Sequence, residues 1–395
     1  MPRWLKLSLL GYGLFTVAAL ALAVLSELPT SGASLGPAPS AFVMRAGRHA
    51  GSGCGLNQRA NAGRCEPVRT TTRDEEVSFD SRLKRKYLAR LQGTLTLPVE
   101  PRGRRPAVVL IHGSGPQTRD EIASGEITRP RLDAPFHVFK QLAQFLGEQG
   151  FVVLRYDKRS CANCYKEAFK HAAVDFTQFR FSDFADDARD ARDFVASRPE
   201  VDASRLVVIG HSQGGLFAPH VVAGDERVVA VVSLAGATQN MMDGIVGQLR
   251  EMGTVRRRQL DLYGAWMLDL QASRYEDCFS RLAGPHDPDD QCMGGGVTLQ
   301  ALAEEKILAD TTVDAWTKLA CPALVLHGTL DRNVHPRVAE ELAHKLATRD
   351  AEVHLLEGTG HLLDDRSAPA DHPVFDPRVL EAMRAFFSSV KPLPR

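Results

Sequence analysis

The stretch Arg205-Leu206-Val207-Val208-Ile209-Gly210-His211-Ser212-Gln213-Gly214-Gly215-Leu216-Phe217-Ala218 decides how the chain is read. An apolar, β-branched run stops at Gly210, and apolar residues return at helical spacing after Gly215, which predicts strand, tight turn and helix. A G-x-S-x-G turn in that setting is a nucleophile elbow. Its serine sits at a strained corner that only small neighbours permit, so Gly210 and Gly214 let strand and helix approach while Ser212 Oγ projects from the sheet edge. The helix then aims its first N–H groups, beginning with Gln213, at an oxyanion beside Ser212.

The 395 residues are 44% hydrophobic, enough for one large core of the size α/β enzymes use. Lys+Arg and Asp+Glu are both 48, so no global field draws in nucleic acid, and none is expected as a partner. Arg3 and Lys6 precede an uncharged run from Leu7 to Leu25, and a small-residue stretch follows at Ser31-Gly32-Ala33. Residues 1–30 therefore read as a signal peptide or an N-terminal membrane anchor, with 7–25 as the tether, and the catalytic domain as exported, periplasmic or extracellular. Seven cysteines agree with export. Spacing offers the local pairs Cys54 with Cys65, Cys161 with Cys164 and Cys278 with Cys292, and leaves Cys321 as a buried free thiol. The C-x-x-C at 161–164 lacks a second ligand pair for zinc and the helix start that redox use requires, so a structural disulfide is expected there.

Residues 31–70 are rich in Gly, Ser, Ala and Pro without apolar periodicity, and read as a flexible linker that buries nothing. The catalytic domain is expected over 71–395. Alternation from Glu75 to Pro98 predicts antiparallel edge strands, and Ala107–Ile111 a strand buried on both faces. That strand ends in His112-Gly113-Ser114-Gly115-Pro116, whose exposed N–H groups offer a second oxyanion donor at Ser114 or Gly115. Helices are predicted over 136–149 and over 182–197, the latter N-capped by Ser182. Further strands follow at 151–156, 228–232, 323–328 and 352–356, with helices over 337–349 and 377–390. From about 239 to 318 strands give way to helical spacing. This reads as a cap inserted between two strands, its apolar residues, including Leu260, Tyr263 and Trp266, packing mostly onto the core. Strand and helix otherwise alternate, which predicts a mostly parallel central sheet with helices on both faces.

Serine at its free pKa needs a base in reach, itself oriented by an acid. On such a sheet the partners lie in loops at the C-terminal ends of strands. His361, flanked by glycine after the last strand, fits the base, and Asp331, after the preceding strand, fits the acid. His211 diverges from Ser212 at the turn and reads as a pocket or packing residue, while His220, His327 and His335 lack the loop setting. Glu357 is the nearest rival to Asp331.

Taken as a set, Ile111–Pro116, Arg155-Tyr156-Asp157-Lys158-Arg159, Asp183–Asp187, Gly210–Gly215, His327–Asp331 and Gly360-His361 resemble bacterial α/β-hydrolases of the serine-esterase type, related to dienelactone hydrolases and the prolyl-oligopeptidase-like group. The resemblance spans residues 75–390. It implies an α/β-hydrolase fold with an inserted helical cap, an oxyanion hole at Gln213 and Ser114, and hydrolysis of a small-molecule acyl ester as the commonest activity. The loop Ser160–Cys164 and the cap cysteines depart from the family pattern and alter the walls that select substrate. The chain is thus expected to be a serine hydrolase that attacks a carboxylic ester through Ser212, His361 and Asp331 and needs no metal or organic cofactor. A peptidase or amidase, for which Asp120 or Glu121 could anchor a substrate amine, a thioesterase, and a non-catalytic binding homologue are the alternatives.

Overall fold

The computed structural model describes residues 43–46 and 53–391, except 86–87, 101–102, 128, 130–131, 167–179, 237–239, 283, 286, 288–289, 293–296, 306–311 and 348–349. The leader expected at 1–30 lies outside the described residues, and no described helix is long and apolar enough to cross a membrane.

Nine strands form one sheet: β1 (Val43–Ala46), β2 (Thr72–Arg85), β3 (Leu88–Pro98), β4 (Arg105–Ile111), β5 (Val152–Tyr156), β6 (Val201–His211), β7 (Val228–Leu234), β8 (Ala323–Gly328) and β9 (Ala351–Leu356). Their spatial order is β1-β9-β8-β7-β6-β4-β5-β3-β2. The six strands from β9 to β5 are parallel, while at the edges β3 pairs antiparallel with β5, β2 antiparallel with β3 and β1 antiparallel with β9. The sheet is therefore mostly parallel, as the alternation of elements predicts.

Each central strand is apolar on both sides because each side meets a helical layer. Val109, Ile111 and Val208 join Phe184, Leu216 and Leu342 on one face, from helices α2 (Phe181–Ala196), α3 (Gln213–Val222) and α6 (Arg337–Leu346). Val108, Leu110 and Ile209 meet Phe139, Val379 and Phe386 on the other, from α1 (Val138–Glu148) and α7 (Pro377–Ser389). The cap helices α4 (Met241–Arg258) and α5 (Leu262–Leu282) lie in the chain between β7 and β8 and pack together through Val246, Leu249, Ala272 and Tyr275.

Several local expectations are corrected. The expected linker is ordered where it is described. Residues 43–46 pair with β9, and Cys54–Cys65 closes a hairpin of strands Gln58–Asn61 and Arg64–Pro67. Leu56 and Asn57 are buried, with Asn57 Nδ2 donating to Gln149 Oε1 (3.2 Å) and to the Arg384 carbonyl (3.1 Å). A disulfide and a satisfied side-chain amide hold this segment, and neither leaves apolar periodicity in the sequence. Ser182 does not cap α2. Arg180 is the N-cap, and its N–H donates to the Asp183 carboxylate (3.0 Å), while Ser182 N–H is drawn to Glu305 Oε2 (3.2 Å). Nor do the large residues at the start of α5 pack inward: Tyr263 is 73% exposed, and Leu260, just before the helix, 85%. The inward face of α5 is instead Ala265, Ala272, Tyr275 and Cys278, where small residues allow close helix approach.

Cys161 and Cys164 are joined, as expected, and Cys278 is also disulfide-bonded, its expected partner Cys292 lying outside the residues whose side chains are described. Cys321 is free but half-buried rather than buried, its thiol pushed up to about 12 by burial.

Arg159, at the end of the Arg155–Arg159 stretch, is fully buried. It makes a forked pair with Asp187 of α2 (2.7 and 2.5 Å) and reaches Ser81 of β2 (2.8 Å). Burial pushes the Asp187 carboxyl up to about 6 even against this guanidinium. Removing one partner of a buried pair leaves the other uncompensated, so Arg159→Met should destabilise the fold by about 3 kcal/mol. The double variant Arg159→Met/Asp187→Leu should recover most of that loss, both read by urea unfolding.

Candidate active site

The elbow forms because its two outer glycines cannot be replaced. A Cβ on Gly214 would lie 1.9 Å from the Ile111 carbonyl oxygen, and one on Gly210 2.1 Å from the Gly214 carbonyl oxygen. With helix and strand this close, the chain turns sharply at Ser212, which has φ 52° and ψ −118°. That left-handed conformation is strained for a residue with a Cβ. Ser212 N–H donates to the Leu234 carbonyl (2.9 Å), anchoring the corner to β7.

Strand ends bring the three expected residues together. His361 Nε2 lies 2.9 Å from Ser212 Oγ, and His361 Nδ1 lies 2.8 Å from Asp331 Oδ2. Asp331 is fully buried, and its Oδ1 accepts N–H bonds from Asn333 (2.8 Å) and Val334 (2.9 Å). Burial alone would raise its carboxyl, but the His361 and His327 rings and the Val334 N–H bring it below the usual carboxylate range. The carboxylate therefore stays ionised and selects the His361 tautomer with its proton on Nδ1, leaving Nε2 to accept from Ser212. Glu357, the rival acid, is exposed. His327 is buried beneath Asp331, its Nε2 2.9 Å from the Val334 carbonyl.

A cavity of about 70 Å³ opens above this group. Gly113, Ser114, Ser212 and His361 line it, and Leu249 and Met252 reach it from cap helix α4. Among the described residues, no protein acceptor takes the backbone N–H of Ser114 or Gln213, the two expected oxyanion donors.

Four charged side chains near Ser212 make contacts that sequence reasoning did not anticipate. His211, expected only to pack or to line the pocket, has Nδ1 3.0 Å from Glu121 Oε1 and Nε2 3.1 Å from the His361 carbonyl. Both neighbours are acceptors, which suits an imidazolium; burial opposes that charge, but Glu121 outweighs it and raises the His211 pKa. Glu121 Oε1 also accepts the Gly113 N–H (2.7 Å). Glu126 is buried and accepts the N–H groups of His361 and Leu362 while pairing with Arg366, so it fastens the loop that carries the histidine. Lys158 is buried, with Nζ 2.6 Å from the Gly113 carbonyl and 2.9 Å from Gln213 Oε1. The available signal was charge at the ends of buried strands and in turns of otherwise small residues.

Comparison with known proteins agrees with this architecture. Esterase EstD of Thermotoga maritima is 31% identical over 166 residues, covering 41% of this chain and 35% of the esterase. An uncharacterized protein of Pseudomonas aeruginosa is 24% identical over 262 residues, covering 58% of this chain and 66% of its own length. The chain thus spans about a third of the first relative and just under two thirds of the second. Among solved structures, an esterase of Pyrococcus furiosus aligns at a TM-score of 0.49 and 13% identity, over 80% of this chain and 90% of that one. The profile described as "Alpha/beta hydrolase family" matches residues 108–373. That match exceeds half of the chain and takes in most of β4, the elbow and the loops that carry Asp331 and His361, so this chain belongs to the alpha/beta hydrolase family.

Proposed function

We propose that this protein hydrolyses carboxylic esters of modest size through an acyl-enzyme on Ser212. The observation that carries the reading is the Ser212–His361–Asp331 relay, with 2.9 and 2.8 Å contacts, on the floor of a cavity. Ser212 Oγ bonds to the acyl carbon as its proton passes to His361 Nε2, and the carbonyl π electrons move onto oxygen. The resulting oxyanion is stabilised by the N–H groups of Gln213 and Ser114. Collapse of the tetrahedral species expels the alcohol, which takes the proton from His361. Water then repeats the sequence: it loses a proton to His361, attacks the acyl carbon and releases the acid, while Ser212 recovers its proton. Asp331 remains ionised and stabilises the imidazolium at both attacks.

Two further observations favour ester over amide. Asp120 is ion-paired with Arg155 and Glu121 with His211, so each acid considered as an anchor for a substrate amine already neighbours a protein cation. The disulfides Cys54–Cys65 and Cys161–Cys164 support an exported protein, in keeping with the N-terminal 1–30 segment read as a leader or anchor.

Fluorophosphonate labelling followed by intact mass tests the nucleophile. One adduct on the wild type and none on Ser212→Ala is the expected result, with p-nitrophenyl butyrate turnover falling at least about 10³-fold in the variant. Folded wild type that takes no label and turns over no ester would reduce the protein to a binding homologue, and faster cleavage of an acyl p-nitroanilide than of the ester would make it an amidase. Asp331→Asn, which no longer fixes the histidine tautomer, should lower kcat by about 10²–10⁴-fold with the fold intact by circular dichroism.

A further inference from the structure

We infer that Lys158 is a positioning residue for the oxyanion hole, its ammonium holding the Gly113 carbonyl and the Gln213 side chain together so that both N–H donors face the substrate oxygen. The inference rests on the acyl-transfer reading above.

The geometry turns on one peptide plane. The Gly113 carbonyl and the Ser114 N–H belong to the same planar trans unit, so they point in opposite directions. Lys158 Nζ, 2.6 Å from that carbonyl, therefore fixes the side from which the Ser114 N–H emerges. The preceding peptide is fixed as well, because the Gly113 N–H donates to Glu121 Oε1 at 2.7 Å. Held from both flanks, the turn cannot flip. A carbonyl that accepts from a cation is also polarised, which strengthens its own N–H as a donor. Through its 2.9 Å bond to Gln213 Oε1, the same ammonium grips the residue that supplies the other donor at the start of α3.

A structural role alone does not account for an ammonium here. Lys158 is 4% exposed, and among the described residues its Nζ bonds only these two neutral acceptors and sits 4.5 Å from the Phe184 ring centre. An apolar side chain would fill that space without the cost of burying a charge. The charged and titratable groups facing it are Glu121 and His112 beside the turn after β4, Tyr156 at the end of β5 and Asp187 of α2. Burial brings the lysine from its usual 10.5 down to about 7, with Glu121 opposing.

The signs of the two pH effects differ. The ammonium is lost as pH rises through about 7, and kcat should fall with it. Between about 7 and 10.5 the unfolded chain holds the lysine proton and the folded chain does not, so stability from this group rises over the same window.

The test compares full-length wild type, Lys158→Met and Lys158→Arg in p-nitrophenyl butyrate hydrolysis from pH 5.5 to 9.5, together with inhibition by phenylboronic acid as a tetrahedral mimic. Lys158→Met should still end at one fluorophosphonate adduct on Ser212, with kcat lowered about 10- to 100-fold, KM little changed and boronate affinity reduced in step. Its alkaline fall in kcat should vanish. Lys158→Arg, which stays charged, should keep part of kcat and also lose the alkaline fall. Unchanged kcat and boronate affinity in Lys158→Met, a loss confined to KM, or an alkaline limb that persists in Lys158→Arg would overturn the inference while leaving the Ser212 reading intact. Should Lys158→Met not fold, the pH profile of Lys158→Arg decides. Wild type without label or turnover would remove the acyl-transfer reading and the inference together.

Discussion

The structure depends on how closely β6, α3 and β4 approach one another at the elbow. Neither Gly210 nor Gly214 has space for a Cβ, and the backbone contacts that exclude one are the same contacts that force Ser212 to a positive φ. A strained residue persists only where its surroundings over-determine it. Here they do: Ser212 N–H is held by Leu234, and β6 is paired on both sides, Gly210 lying opposite Ile111 of β4 and Ser233 of β7. The parallel register then places the ends of β4, β7, β8 and β9 around one point. His361 reaches Ser212, and Asp331 reaches His361, because the loops after β8 and β9 start at that common edge.

Around this corner the buried charges act on backbone groups. Asp331 accepts two N–H bonds from its own loop, Glu126 accepts two from the His361 loop, and Glu121 and Lys158 hold opposite sides of Gly113. Each charge satisfies main-chain donors or acceptors that a sharp turn leaves without secondary-structure partners. Loops at the C-terminal edge of a parallel sheet have no ladder to rigidify them. Ionic side chains supply that rigidity, at a desolvation cost that lowers the Lys158 pKa.

Sequence reasoning reached what short-range pattern encodes. The elbow, the continuous apolar runs of β4 to β9 and the glycine-flanked His361 all have local signatures, and Asp331 follows from the order of the loops. The pairing of Cys161 with Cys164 was legible for the same reason. Long-range satisfaction was not legible. Lys158 and Gly113 are 45 residues apart, and Glu126 and His361 are 235 apart, so nothing near any of them in the chain signals the contact. Residues 54–68 read as linker because a disulfide and the Asn57 amide carry their order. The exposed Leu260 and Tyr263 share helical spacing with buried residues, and spacing alone does not say which stripe faces inward.

Two layers of constraint on the oxyanion turn follow from this arrangement, and they differ in kind. A Cβ at Gly113 would lie 2.8 Å from Glu121 Oε1, so any larger residue there would have to displace that carboxylate, and this constraint is independent of pH. The Lys158 ammonium constrains the same turn electrostatically, and only while protonated. His211, between Glu121 and the His361 carbonyl, couples the turn to the His361 loop. The Gly113 turn and the His361 loop are thus joined by one continuous set of contacts running Lys158, Gly113, Glu121, His211 and His361. These intervening groups are buried, so water screens their charges little.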